Sequence, residues 1–173
     1  MAAAINEGKL TPYSTYNDTG SVQIGKYTIR NSDGKAHGVV DMRTVLEFSL
    51  NTGSIHAVQE IGNEKWSDYI QAFGFGKETG ITLGSENAGN ISTVEQHKDI
   101  YSATSSYGQG ITVTPIQLLQ GYSAFANNGV IMKPYIVDQI VKSNGFKEEQ
   151  KPEILAQPIS ADTAQTIAAM LVR

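Results

Sequence analysis

Between Asp41 and Phe73 the chain lays out three short apolar stripes at helical spacing, and this pattern limits the fold more than any other feature. Asp41 can cap a helix carrying Val45, Leu46 and Phe48, predicted to end near Asn51-Thr-Gly53. Ile55, Val58 and Ile61 form a second stripe. Asn63 opens a third, with Trp66, Tyr69, Ile70 and Phe73 on one side, a stripe that reads as core rather than as a ligand platform. Helices this short draw their stability from packing, so a largely helical unit is expected here.

The flanking segments are of mixed kind. Residues 20–31 alternate around Val22, Ile24, Tyr27 and Ile29 with Gly25-Lys26 between them, a short hairpin. Thr79 to Leu83 and Tyr135 to Val141 read as strands, whereas residues 84–98 and the polar stretch Lys142 to Pro152 read as loops. Thr114-Pro115 places an N-cap before a proline at the first helical position; that helix runs through Leu118, Leu119, Tyr122 and Phe125 to Asn127-Asn-Gly129. Ser160 opens a last helix with Ile167, Met170 and Leu171 on its apolar side. Met1 to Gly8 has helix formers and a glycine stop but nothing that caps its start, and the final helix lacks a C-cap glycine. Both ends suggest a piece of something larger.

Composition excludes several classes. At 173 residues with 40% hydrophobic and 17% charged residues, the chain suits one globular domain with a real core. A formal net charge of -4 offers no basic surface for nucleic acid. The lack of cysteine removes disulfides, thiolate nucleophiles and cysteine metal sites. His37, His56 and His97 stand at no metal-ligand spacing, so surface or packing roles are expected for them, and neither a metal nor a cofactor is anticipated.

The stretch "FGFGKETG", Phe73 to Gly80, invites a phosphate-loop reading and fails it. Gln71 stands where the first glycine belongs and Glu78 where a hydroxyl residue belongs. A dinucleotide fingerprint needs strand before and helix after, the reverse of the order expected here. A K-T-G box is closer, but Glu78 splits Lys77 from Thr79. Two further near matches to the serine penicillin-recognising set precede it, Ser32-Asp-Gly-Lys35 for S-x-x-K and Ser49-Leu-Asn51 for S-x-N. Ser32 is rejected as a nucleophile, because its lysine must lie one helical turn on and Asn31-Ser-Asp-Gly34 is a turn sequence. Ser49 and Asn51 remain. A hydroxyl there can pass a proton between a lysine and a departing amine, and the amide can hold a peptide group. Ser85-Glu-Asn87 has the same spacing in a loop where nothing positions it.

Five segments in order carry a family resemblance: Met1-Ala-Ala-Ala-Ile-Asn-Glu-Gly8, Val45-Leu-Glu-Phe-Ser-Leu-Asn-Thr-Gly53, Phe73-Gly-Phe-Gly-Lys-Glu-Thr-Gly-Ile81, "SSYGQGITVTPIQ" from Ser105 to Gln117, and Ala124-Phe-Ala-Asn-Asn-Gly129. The chain resembles the transpeptidase domain of class B penicillin-binding proteins along nearly its whole length, and "SSYGQGITVTP" is more similar to division-type and sporulation-type members than to elongation-type ones. The resemblance implies an α/β (α+β) fold of the β-lactamase/transpeptidase type, here mostly its helical part with a small β-hairpin. It implies that residues 1–173 are part of one such domain, with S-x-x-K before residue 1 and the catalytic K-T-G after residue 173. The FGFG segment would then be a structural turn. Leu83-Gly-Ser-Glu86 departs from the family's L-P-G-E, which puts the shape of that loop in question. Ser49 and Asn51 are the catalytic positions that carry over, Ser49 relaying a proton to the leaving group and Asn51 orienting the substrate amide. The implied function is peptidoglycan cross-linking through a serine acyl-enzyme at the extracytoplasmic face of the bacterial membrane, held there by an N-terminal anchor outside this chain. Stem peptides, β-lactams and a partner glycosyltransferase are the implied partners, and the chain by itself is expected to be inactive. The alternatives are a β-lactam-hydrolysing or sensing relative and a non-catalytic scaffold module of the same fold.

Overall fold

The computed structural model describes residues 1–82 and 84–172. The chain begins with α1 (Ala2–Asn6) and four strands, β1 (Thr15–Asp18), β2 (Ser21–Ile24), β3 (Tyr27–Arg30) and β4 (Gly38–Asp41). Three consecutive helices follow, α2 (Met42–Glu47), α3 (Asn51–Ile61) and α4 (Asn63–Ala72). After a 3-10 turn at Val94–Gln96 come α5 (Asp99–Ser105), α6 (Pro115–Ala126), β5 (Ile131–Met132), β6 (Gln139–Val141), β7 (Lys147–Glu149), β8 (Ile154–Ala156) and α7 (Ala161–Leu171). The strands form antiparallel pairs, β1 with β4, β2 with β3, β5 with β8 and β6 with β7. The expected hairpin is β2 and β3, turning at Gly25, whose φ of 57° is a conformation that two-residue hairpin turns require. It is nested inside the β1–β4 pair.

The helical core forms where the apolar stripes meet. Ala4, Leu10, Met42, Val45, Leu50, Ala57, Ile167 and Met170 pack together, joining α1, α2, α3 and α7. Tyr69 closes a second cluster with Ala3, Ile159 and Ala164, while Trp66 packs beside Ile70, Ile91 and Val94. Tyr69 and Ile70 of this stripe are core, as its spacing indicates, and Phe73 and Trp66 pack half-buried against the two clusters. Trp66 Nε1 donates to Ser105 Oγ and the Tyr69 hydroxyl donates to Glu7, so both polar ends are satisfied.

Three helix starts match their caps. Thr114 and Gln117 form a reciprocal capping box on α6, Ser160 accepts from Thr163 N on α7, and Asp41 Oδ1 accepts from Thr44 N at 2.9 Å on α2. Burial works to raise the Asp41 pKa, but donation from Thr44 N, from Arg43 and from the Thr44 hydroxyl outweighs it and holds the group at about 2, below its ordinary 3.8. A depressed carboxylate contributes its stabilisation in full above pH 3.8 and loses it as pH falls toward 2. Asp41→Ala is expected to cost about 1 to 2 kcal/mol at neutral pH. It should also flatten the acid limb of stability in that window, as read from urea midpoints measured across it.

Several boundaries differ from the sequence expectation. The first helix of the triplet ends at Glu47, and Asn51-Thr-Gly53 opens α3 instead of closing α2. Gly53 is a packing glycine: a Cβ there would stand 2.4 and 2.7 Å from the Val45 γ carbons and 2.9 Å from the Tyr16 hydroxyl. Residues 79–82 are not a strand, and Leu83 lies outside the described residues. Of Tyr135 to Val141 only Gln139–Val141 is extended and paired. The polar stretch after it contains β7, and the 84–98 loop contains the 3-10 turn. Leu171 is half exposed rather than part of the buried stripe of α7.

Candidate active-site segment around Ser49 and Asn51

The turn between α2 and α3 is built by a left-handed residue. Ser49 has φ 52°, its N–H donates to Leu46 O, and Leu50 N–H donates to Val45 O at 2.9 Å. These two bonds satisfy carbonyls that the end of α2 would otherwise leave unpaired, and Leu50 drops into the core against Val45. The same pair of bonds ends α1 and α4, but there the left-handed position is glycine: Gly8 at φ 65° and Gly74 at φ 88°. A non-glycine residue in that region costs roughly 1 to 2 kcal/mol. At Ser49 the chain carries this cost and keeps a hydroxyl, which is exposed and without a hydrogen-bond partner among the described residues. Ser85, His97 and Asn128 are also non-glycine residues with positive φ, so the strain at Ser49 is tolerated rather than singular to it.

Asn51 starts α3 two residues later. Its Nδ2 donates to Arg30 O at the end of β3, 2.8 Å away. That bond fixes the amide plane and leaves Oδ1 as an acceptor without a partner among the described residues. Ser49 and Asn51 are thus brought to one short, exposed turn, as S-x-N spacing suggested. Ser32 sits in the turn before Gly34, which has φ 70°, so no helix carries Lys35 back to it. Of Ser85-Glu-Asn87, Ser85 is left-handed and Asn87 is occupied with Gly89 N.

A buried polar group behind Asn51 was not anticipated from the sequence. Asp18, 1% exposed, accepts from Gly20 N, Asn31 Nδ2, His37 N and Thr52 Oγ1. Asn31 Oδ1 accepts from Thr52 N at 3.2 Å, supplying from outside the cap that Leu50 cannot provide to α3. Thr52 Oγ1 also lies 3.0 Å from the Tyr16 hydroxyl; with the threonine proton directed at Asp18 or Asn31, Tyr16 is the donor of that pair. Burial works to raise the Asp18 pKa, but the four donors outweigh it and hold the carboxyl below its ordinary range.

The FGFG segment is a structural turn, as expected. Gly74, Gly76 and Gly80 all have positive φ, and a Cβ on Gly76 would stand 2.6 Å from Ile91. The Glu86 carboxylate accepts from Thr79 N at 2.8 Å and from Gly80 N at 2.9 Å, which pins the Thr-Gly corner. Gln117 Nε2 donates to Lys77 O and Ala88 O, tying both sides of this loop to the start of α6. The histidines have local partners: His37 meets Asp33 and tilts on Phe48, His56 stacks on Tyr16 at 5.3 Å, and His97 ends the 3-10 turn.

Two clefts lie elsewhere. One of about 370 Å³ opens between the β2–β3 turn and helices α3 and α5, and an apolar groove of about 250 Å³ runs between α4 and α6. Neither is lined by Ser49 or Asn51. Ser49 lies exposed at the S-x-N turn.

Residues 1–173 match the family model described as the penicillin binding protein transpeptidase domain. The chain is 34% identical over 173 residues to penicillin-binding protein PbpB of Mycobacterium tuberculosis, covering 98% of this chain and 25% of that protein. It is 33% identical over 172 residues to stage V sporulation protein D of Bacillus subtilis, covering 96% and 26%. The crystal structure of penicillin binding protein 3 from Mycobacterium tuberculosis complexed with aztreonam superposes with a TM-score of 0.90 at 32% identity, over 98% of this chain and 38% of that one. The α/β transpeptidase fold is thereby established. The chain spans about a quarter of the length of the curated relatives it matches.

Proposed function

The chain belongs to the penicillin-binding protein transpeptidase domain family, on the class B side, and we propose that it is the S-x-N-bearing part of a peptidoglycan D,D-transpeptidase. In the complete domain, S-x-x-K would precede these residues and K-T-G would follow them. The serine of S-x-x-K attacks the carbonyl of the D-Ala-D-Ala bond, its proton passing to the motif lysine. The tetrahedral oxyanion rests on backbone N–H groups. Ser49 passes a proton to the departing D-Ala amine. Asn51 holds the substrate amide through the oxygen that Arg30 leaves unused. An amine of a neighbouring stem peptide then attacks the acyl-enzyme and releases the serine. A β-lactam, by its likeness to D-Ala-D-Ala, acylates the same serine and stays.

The observation that carries this reading is the S-x-N turn itself, which offers the exposed Ser49 hydroxyl two residues from an Asn51 amide oxygen that has no partner among the described residues. Membership in the family and the likeness to proteins named peptidoglycan D,D-transpeptidases support it. Catalysis takes place at the extracytoplasmic face of the bacterial membrane, with anchorage supplied from outside residues 1–173 and a glycosyltransferase providing the glycan strands.

The test is intact-mass analysis after incubation with a penicillin, applied to the 173-residue chain and to the full-length protein, with peptide mapping of any adduct. The expected result is one adduct on the full-length protein, at a serine of S-x-x-K, and none on residues 1–173. An adduct on Ser32, or an unreactive full-length protein, refutes the reading.

A further inference from the structure

The first turn of α3 is not held by its own residues. Leu50 has no side chain able to cap it, and the bonds that fix Asn51 and Thr52 come from the end of β1 and from the end of β3 with the residue after it. Arg30 O takes Asn51 Nδ2, Asn31 Oδ1 takes Thr52 N, and Asp18 Oδ1 takes Thr52 Oγ1 at 2.8 Å. Asn31 is itself fixed: its Nδ2 donates to Asp18 Oδ2 at 2.8 Å and to Lys35 O at 3.1 Å. Asp18 is therefore the group on which the others converge.

The chemistry of Asp18 is specific. Both carboxylate oxygens are filled by donors, Oδ1 by Gly20 N and Thr52 Oγ1, Oδ2 by Asn31 Nδ2 and His37 N. It has no ion-pair partner among the described residues, so these donors alone offset the cost of burying its charge. An asparagine in its place would set an NH₂ against two donors whichever way the amide is turned.

We propose that Asp18 is a positioning residue for the transfer reaction: through Asn31 and Thr52 its buried carboxylate fixes the first turn of α3, and with it Asn51 and the left-handed Ser49. The proposal rests on the transpeptidase reading for its consequence in catalysis, and on the geometry alone for its consequence in structure. Misplacement of a reacting group by about 1 Å can cost on the order of 100-fold in rate.

The experiment compares Asp18→Asn, Thr52→Val and Thr52→Ser in the full-length protein, with Ser160→Ala as a control that removes a helix cap at α7. Amide hydrogen exchange at residues 50–54 and the saturating rate of acylation by benzylpenicillin are measured for each. Asp18→Asn and Thr52→Val are expected to lose exchange protection at Thr52 and to slow acylation by about 10- to 100-fold. Thr52→Ser, which keeps the hydroxyl, should behave as the wild type, and Ser160→Ala should lower stability while acylating at the wild-type rate. Unchanged exchange at Thr52 in Asp18→Asn overturns the proposal, as does an equal slowing in Ser160→Ala. A wild-type protein that is not acylated refutes the transpeptidase reading instead, and exchange at Thr52 still decides whether Asp18 anchors the turn.

Discussion

Ser49→Ala in the full-length protein is expected to slow penicillin acylation and peptide cross-linking by about 10²- to 10⁴-fold, the span that a positioned proton-transfer group contributes. Its folding stability should hardly change. Alanine and serine are strained alike at φ 52°, and the serine hydroxyl makes no bond within the described residues whose loss would register. Ser49→Gly separates the two roles further. Glycine relieves the left-handed strain, so this variant should gain about 1 kcal/mol of stability while losing as much activity as the alanine variant. Stopped-flow acylation and thermal unfolding of the three proteins test both halves. Retention of full activity by either variant would reduce Ser49 to an ordinary turn residue and remove the observation on which the functional reading stands.

The largest effect on stability is expected at Gly129. It follows Asn127-Asn128 at the end of α6, with φ 85°, and its N–H closes the helix on Ala124 O at 2.7 Å. A Cβ there would stand 2.1 Å from Ile159 O, 3.0 Å from Ile159 C and 3.2 Å from Ser160 O. All three are backbone atoms, and Ile159 is buried in the cluster with Ala3, Tyr69 and Ala164, so no side chain can swing aside. Left-handed strain of about 1 to 2 kcal/mol adds to overpacking of about 1 to 3 kcal/mol. Gly129→Ala should therefore lose about 3 kcal/mol or more from a total that for ordinary domains is about 5 to 15 kcal/mol. Gly8→Ala provides the comparison, since φ is 65° there but nothing lies within 4 Å of the added carbon. It should lose only the strain. Equal denaturation midpoints for the two variants would show that the approach of Ile159 is not what demands glycine at 129.

Much of the architecture was legible because its signals are local. Asp41, Thr114-Pro115 and Ser160 cap their helices through bonds that reach three residues along the chain, and the Gly25-Lys26 hairpin needs only two residues to turn. The S-x-N pair was legible for the same reason, since Ser49 and Asn51 are separated by one residue. Misreadings arose where a local signal had a distant cause. Gly53 looked like a helix stop and is a contact between α3, Val45 and Tyr16. Thr79 to Leu83 looked like a strand, yet the N–H groups of Thr79 and Gly80 that a strand would pair are taken by Glu86.

By itself the sequence determined the family and the starts of α2, α6 and α7, and it singled out Ser49 and Asn51, because each of these signals is written within a few consecutive residues. Only the tertiary structure decided how those side chains are held. Ser49 is left-handed because Leu50 must turn back into the core beside Val45. Thr52 is gripped by Asn31 and Asp18 from 21 and 34 residues away, and burial makes that grip strong by removing the water that would otherwise satisfy the same groups.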